Sequence, residues 1–224
     1  MKLSFPYIVN HIPKTTPYNR RPGILLNYDT ITIHSTGNVS STAQNERGWL
    51  VNKSNTRTAS WHICVDEKQA IEAIPLNEVA WHAGDGGGSG NMKSLSIEVC
   101  EGGNRDKTLN NAIELIAYLL KQKNWNTKKL KRHYDWSGKL CPRIFIADNW
   151  QGWKSFLSRI ESKLIQTKVL PKIEREVGIF LGGKKVNVDG YMIGGSVFVP
   201  VRFFAESFGK RVDWNNNTYT VDIR

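Results

Sequence analysis

At 224 residues, with 40% hydrophobic and 23% charged side chains, the chain can fold as one domain of ordinary size plus a small one. This composition excludes a disordered or collagen-like protein, and no stretch approaches the roughly 20 apolar residues that cross a bilayer. A net charge of +11 points to a polyanionic neighbour (nucleic acid, an anionic membrane or an acidic wall polymer) without choosing among them.

The N-terminus, Met1-Lys2-Leu3-Ser4-Phe5-Pro6, has no apolar core or cleavage site. The expectation is a protein made in a cytoplasm with no export address of its own. Three cysteines, Cys64, Cys100 and Cys141, then read as reduced thiols and not as a disulfide framework.

Asp29 to His34 is β-branched and alternating and stops at Ser35-Thr36-Gly37, which predicts a strand. Ser60 to Val65 and Leu95 to Val99 read the same way. Between them Gly84 to Gly90 is too glycine-rich for a regular element and is expected to be a mobile surface loop. Thr108 to Asn124 places Leu109, Ile113, Ile116, Ala117 and Leu120 on one helical face. Asp148 to Leu164 repeats the pattern with Trp150, Trp153, Phe156, Leu157, Ile160 and Leu164, and Asp148 is the expected N-cap. Strands mixed with amphipathic helices predict a layered α/β domain over residues 1–164.

Residues 165–177 read as a linker, interrupted by Pro171. A small α+β domain follows over 178–224. Its expected parts are a hairpin at Gly182-Gly183, a strand at Val197 to Val199, and a helix from Pro200 that ends at Gly209. A second hairpin closes it across Asn215-Asn216-Asn217.

Zinc hydrolases need three protein ligands and an open position. The chain offers five histidines, His11, His34, His62, His82 and His133, besides the three cysteines. His34 ends a strand at a turn. His133 and Cys141 are eight positions apart around Gly138 and converge if that segment loops. Spacing alone does not select this trio over one containing His62 or His82, or over a set using Cys64 or Cys100.

Five segments occur in order: Ile31 to Asn38, Ala59 to His62, Trp81 to Asp85, Leu95 to Glu98, and His133 to Pro142. Over roughly residues 5–160 they resemble the amidase-2 family of N-acetylmuramoyl-L-alanine amidases, which includes phage endolysins, autolysins and peptidoglycan recognition proteins. The resemblance implies a mixed central β-sheet flanked by helices and one Zn2+ held by His34, His133 and Cys141. It makes Glu98 the general base and Lys139 the group that stabilises the oxyanion, and it puts Trp61, Trp81 and His82 at the substrate. Members that bind peptidoglycan without cleaving it commonly lack the cysteine, so Cys141 implies an enzyme. Some branches carry a catalytic tyrosine where Trp61 stands; an indole N–H donates a hydrogen bond but does no acid–base work at ordinary pH. His11 matches no motif and is expected at the surface.

The last segment resembles the module named after the N-terminal domain of copper amine oxidases, through Gly183-Lys184-Lys185, Val199 to Arg202, Ala205 to Gly209 and Val212 to Trp214. It has no His or Cys and a single methionine, Met192, so no copper is implied. A wall-binding role is the expectation, with a structural or dimerising role as its rival. The implied partner is bacterial peptidoglycan, with anionic wall polymers engaged by the basic surface and this module. No nucleic-acid partner and no membrane insertion are expected. The rival functions are a non-catalytic peptidoglycan binder, a nucleic-acid binder suggested only by charge, and a zinc peptidase cutting within the stem peptide. Release through a pore at lysis, or export by another non-classical route, would bring the enzyme to the wall.

Overall fold

The computed structural model describes residues 3–166, 173–215 and 220–224. The chain divides into two compact units, 1–167 and 168–224. In the first, the order is β1 (Tyr7–Val9), β2 (Thr30–Ser35), α1 (Ala43–Trp49), β3 (Ile63–Val65), β4 (Ala70–Glu72), α2 (Ser89–Met92), β5 (Ser94–Val99), α3 (Arg105–Gln122), β6 (Leu130–Arg132), α4 (Tyr134–Ser137) and α5 (Ala147–Gln166). The six strands form one mixed sheet in the order β1-β4-β3-β5-β2-β6. Only the β3/β4 pair is antiparallel.

Side chains alternate across a strand, and register converts that alternation into two chemically different faces. Ile33, Ile97 and Ile63 stand in one row across β2, β5 and β3. With Ile31, Leu95, Val65 and Val99 they form a fully buried layer under Ile116 of α3 and Phe156 and Ile160 of α5. The neighbouring row, His34, Glu98 and Cys64, belongs to the other face. That face also carries Thr32 and Ser94, whose hydroxyls bond each other at 2.7 Å. One face seats α3 and α5; the other carries α1 over β3 and β4 and leaves the ends of β2 and β5 for chemistry.

The helix expected over 108–124 starts slightly earlier, where Asn104 caps it by accepting the Lys107 N–H at 3.0 Å. Asp148 is not an N-cap. Asp148, Asn149 and Trp150 have φ of 52°, 54° and 65°, so regular α geometry begins after them. β1, β4 and β6 have three residues each and α1 has seven; none was expected from the sequence.

The glycine-rich segment is not a loose loop. Ser89–Met92 is helical, and the Asp85 carboxylate accepts the backbone N–H groups of Gly90 at 2.7 Å and Asn91 at 3.2 Å. Gly90 is buried where a Cβ would lie 2.4 Å from Ala83 Cβ and 2.8 Å from Trp136 Cγ. Here glycine is a packing requirement, which composition alone does not distinguish from mobility. His11 is half-buried and hydrogen-bonds Glu72 at 2.7 Å.

The second unit contains β7 (Arg175–Leu181), β8 (Lys184–Ile193), β9 (Ser196–Phe198), α6 (Val201–Ser207), β10 (Val212–Asn215) and β11 (Thr220–Ile223). β7-β8-β9 form one antiparallel sheet and β10-β11 another. Gly182 and Gly183, with φ of 57° and 78°, make the expected tight turn. Pro200 precedes α6, and Gly209 (φ 71°) follows it. Within the expected linker, α5 runs to Gln166 and β7 starts at Arg175. Pro171 and the Asn216-Asn217 turn lie outside the described residues.

Candidate metal centre and cleft

Parallel strands leave a crevice beyond their carboxyl ends, and the three candidate ligands meet there. His34 comes from the end of β2, and His133 follows β6 directly. Cys141 lies beyond α4, in a segment tied back by several bonds. The Tyr134 N–H donates to the Cys141 carbonyl at 3.1 Å, and the Arg143 N–H donates to Ser35 Oγ at 3.0 Å. The Arg143 guanidinium also grips Glu101 at 2.7–2.9 Å. The Glu101 carboxylate in turn accepts the Gly37 N–H at 2.8 Å. Burial pushes the Glu101 carboxyl up, but Arg143 and Gly37 outweigh it and hold it below its ordinary value.

His34 Nδ1 is 3.1 Å from His133 Nδ1 and 3.8 Å from Cys141 Sγ. The three ligand atoms lie within 4.8 Å of one another, and all three residues are buried. Among the described residues this is the one such group.

Hydrogen bonds fix which nitrogens are free. His82 Nε2 is 3.1 Å from the Ser94 carbonyl, which only accepts, so that nitrogen carries the proton. Neutral His82 then has a bare Nδ1, 3.1 Å from His34 Nε2, which must donate to it. The lone pair of His34 is thereby left on Nδ1. His133 turns Nε2 toward Gly84 and Nδ1 toward His34, and the tautomer with its proton on Nε2 leaves Nδ1 bare as well. Two lone pairs facing each other at 3.1 Å repel unless a cation sits between them, and a thiol stands beside the pair. This donor set, two imidazoles and a sulfur with oriented partners behind them, fits zinc.

The electrostatics match. Burial lowers His34 and His82 well below the ordinary histidine value and takes His133 down to about 4, which keeps all three neutral. Burial also pushes the Cys141 thiol up to about 12, so a metal ion must displace its proton to use the thiolate. Glu98 Oε1 is 4.0 Å from His34 Nδ1, and Oε2 is buried with no hydrogen-bond partner among the described residues. Burial, with Glu46 adding to it and Lys139 opposing, raises its carboxyl to about 8.

The trio and Glu98 open onto a cleft of about 570 Å³ walled by Trp61, Trp81, Arg57 and Lys139. Trp81 is fixed on the rim by its indole N–H donating to the Asn19 carbonyl at 2.9 Å. Trp61 is only 9% exposed, so it shapes the wall more than it reaches out. His82, expected at the substrate, has both ring nitrogens committed to His34 and Ser94, and the geometry gives it the task of orienting His34. A second, apolar cavity of about 620 Å³ beside Phe5, Tyr7, Leu76 and Tyr118 holds no cluster of ligands.

The rival thiols are elsewhere. Cys64 and Cys100 pack with Ile12, Leu50 and Ile71, and the Cys64 thiol donates to the Ala43 carbonyl at 3.2 Å. His62 is used up by Ser96 and the Glu78 carbonyl, both at 2.8 Å. Sequence reasoning missed Asn91, whose side-chain oxygen accepts the N–H groups of His82 and Ala83 at 2.7 and 2.8 Å. It also missed the Glu101–Arg143 clamp. A lone Asn beside glycines and an ion pair 42 residues apart leave no local signal.

Residues 25–144 match the family profile described as N-acetylmuramoyl-L-alanine amidase, more than half of the chain. The chain belongs to that amidase family. Residues 157–224 match the profile of the copper amine oxidase N-terminal domain, which begins inside α5. Among curated amidases, the chain is 36% identical over 162 residues to CwlA of Bacillus subtilis (strain 168), covering 70% of this chain and 58% of that one. It is 39% identical over 139 residues to XlyB of the same organism, covering 60% and 42%. The chain thus spans about half the length of these curated relatives. Among solved structures, the catalytic domain of XlyA superposes with a TM-score of 0.63 at 38% identity, over 69% of this chain and 98% of that one. PlyL does so with 0.62 at 32%, over 72% and 98%. The mixed sheet with flanking helices is therefore the amidase-2 architecture.

Proposed function

We propose that this chain is a zinc-dependent N-acetylmuramoyl-L-alanine amidase, hydrolysing the amide between the lactyl group of N-acetylmuramic acid and L-alanine in bacterial peptidoglycan. The observation that carries the reading is the forced orientation of His34 and His133. Their bare Nδ1 atoms meet beside Cys141, with the otherwise unpartnered Glu98 carboxyl at the edge of the same cleft. When held by His34, His133 and Cys141, zinc supplies a Lewis acid that polarises the amide carbonyl and acidifies water.

The chain's own residues do the rest. Glu98 takes the proton from the attacking water and returns it to the departing nitrogen; burial raises its carboxyl above the ordinary value, which favours holding the proton until that return. Lys139, on the cleft wall, stabilises the negative oxygen that develops on the carbonyl. Trp61 and Trp81 wall the substrate, and Trp61 takes no part in proton transfer. The second unit is read as a tether that raises the local concentration of substrate. No helix among the described residues is long and apolar enough to cross a membrane. The place of action is the cell wall.

The test is mass spectrometry of purified walls digested by the zinc-loaded protein. Free stem peptides beginning with L-alanine are expected, and fragments cut within the stem would establish the peptidase reading instead. Intact walls despite bound zinc would leave only a binder.

A further inference from the structure

The segment joining α3 to the end of β6, Lys121 to Arg132, carries six cationic residues in twelve positions and no acid. Among the described residues no carboxylate forms an ion pair with Lys123, Lys128, Lys129 or Lys131. Lysines on an edge strand commonly serve to prevent edge-to-edge aggregation, and β6 is the last strand of its sheet. That purpose accounts for Lys131, which lies on the strand. It does not account for Lys123, Lys128 and Lys129, which precede it.

Two of these charges, Lys123 and Lys129, are mounted on an aromatic frame. Trp125 and Tyr28 pack edge to face at 5.8 Å. Lys123 Nζ sits 4.5 Å from the Tyr28 ring centre, and Lys129 Nζ sits 5.3 Å from that of Trp125. The Trp125 N–H donates to the Leu120 carbonyl at 2.8 Å, and Asn126 Oδ1 accepts the Lys128 N–H at 3.0 Å. Cations positioned beforehand lose less freedom on binding an anion. The group also stands at the entry end of β6, whereas His133 follows its exit. A long chain held there leaves the cleft open.

We propose that this turn, with Lys123, Lys128, Lys129 and Lys131, is a docking surface for a phosphodiester-linked polyol chain of the bacterial wall. The choice of a wall polymer rests on the amidase reading above. Ammonium groups already sit over the Tyr28 and Trp125 rings, which makes these rings poor platforms for stacking bases and favours a backbone of phosphates.

The test uses the full chain and soluble poly(glycerol phosphate), with affinity measured across a salt series. Two variants lose the same charge: one carries Lys123→Gln, Lys128→Gln, Lys129→Gln and Lys131→Gln, the other Lys14→Gln, Lys53→Gln, Lys68→Gln and Lys154→Gln. The first is expected to lose at least about tenfold in affinity at low salt. Its log–log salt slope should shrink by about 0.7 per lysine, the value for single-stranded polyanions, while the second stays near wild type. Equal weakening of both, or of neither, overturns the proposal, as does tighter binding of single-stranded DNA of matched charge. Hydrolysis of a soluble muropeptide is followed in parallel and should be unchanged in both. A wild type that binds polymer but leaves the muropeptide intact strikes at the amidase reading and not at the surface.

Discussion

His34 and His82 meet at right angles, with Nε2 of one 3.1 Å from Nδ1 of the other, and this contact determines which nitrogen His34 presents to Cys141 and His133. The chain of dependence runs from the Ser94 carbonyl through His82 to His34. His82→Phe keeps the ring volume and breaks the chain. Zinc affinity, measured by competition with a chromophoric chelator, should fall about 10–100-fold. Unchanged affinity would mean that His34 needs no orienting partner.

Glu98→Gln keeps the shape of the side chain and removes the base. Turnover of a soluble muropeptide should drop by about 10²–10⁴-fold, with zinc content equal to wild type by metal analysis. A variant that keeps both zinc and rate would place proton transfer on another group.

Arg20 is 1% exposed and has no carboxylate partner among the described residues. Its guanidinium donates to the Leu50, Asn55 and Arg57 carbonyls, the last two at 2.6 and 3.1 Å, and so straps the loop that carries Arg57 to the cleft. Lysine has no planar fork to span three carbonyls. Arg20→Lys should cost about 2–4 kcal/mol in urea unfolding and speed amide exchange across residues 50–57. Exchange faster elsewhere but not there would dissociate Arg20 from the loop.

His62 gives a pH dependence with a definite sign. Burial holds it down to about 4 in the folded chain, partly offset by the Glu78 carbonyl, against about 6.5 when unfolded. Between those values the unfolded chain binds a proton that the folded chain does not, so stability rises with pH. The contribution is complete above about pH 6.5 and is lost as pH falls toward 4, roughly 3 kcal/mol in all. Urea midpoints from pH 7.5 to 4.5 should fall more steeply for wild type than for His62→Gln. Parallel curves would remove His62 from the account.

Gly90→Ala tests whether the glycine segment is packed or free. A Cβ placed 2.4 Å from Ala83 and 2.8 Å from Trp136 should cost about 1–3 kcal/mol through overpacking, read as a lowered melting temperature. A mobile loop would absorb the methyl without loss.

Much of this was legible before folding was considered. The β2 and β5 strands could be read because they are long enough to show alternation, and α3 because it spans several turns of apolar periodicity. β1, β4 and β6 could not, since three residues carry no period. The ligand trio needed the ordered motifs, because spacing gives His62 the same standing as His34 until register and hydrogen bonding commit His62 to Ser96 and the Glu78 carbonyl. His82 lines the cleft, and its motif marks that neighbourhood but not the direction of its ring, whose nitrogens turn to His34 and Ser94. The order built into Gly84 to Gly90 depends on Asp85 and Asn91 reaching backbone groups several residues away, which composition does not encode.

His34 and Cys141 are separated by 107 positions, and His34 and His133 by 99. No fragment of the chain that ends before residue 141 contains the whole donor set. A nascent polypeptide leaving the ribosome therefore holds only scattered imidazoles and thiols, and the donor set is assembled by the same collapse that joins β6 to β2. If the proposed zinc binds there, ion capture is linked to folding, and a chelator that strips it should lower stability against unfolding.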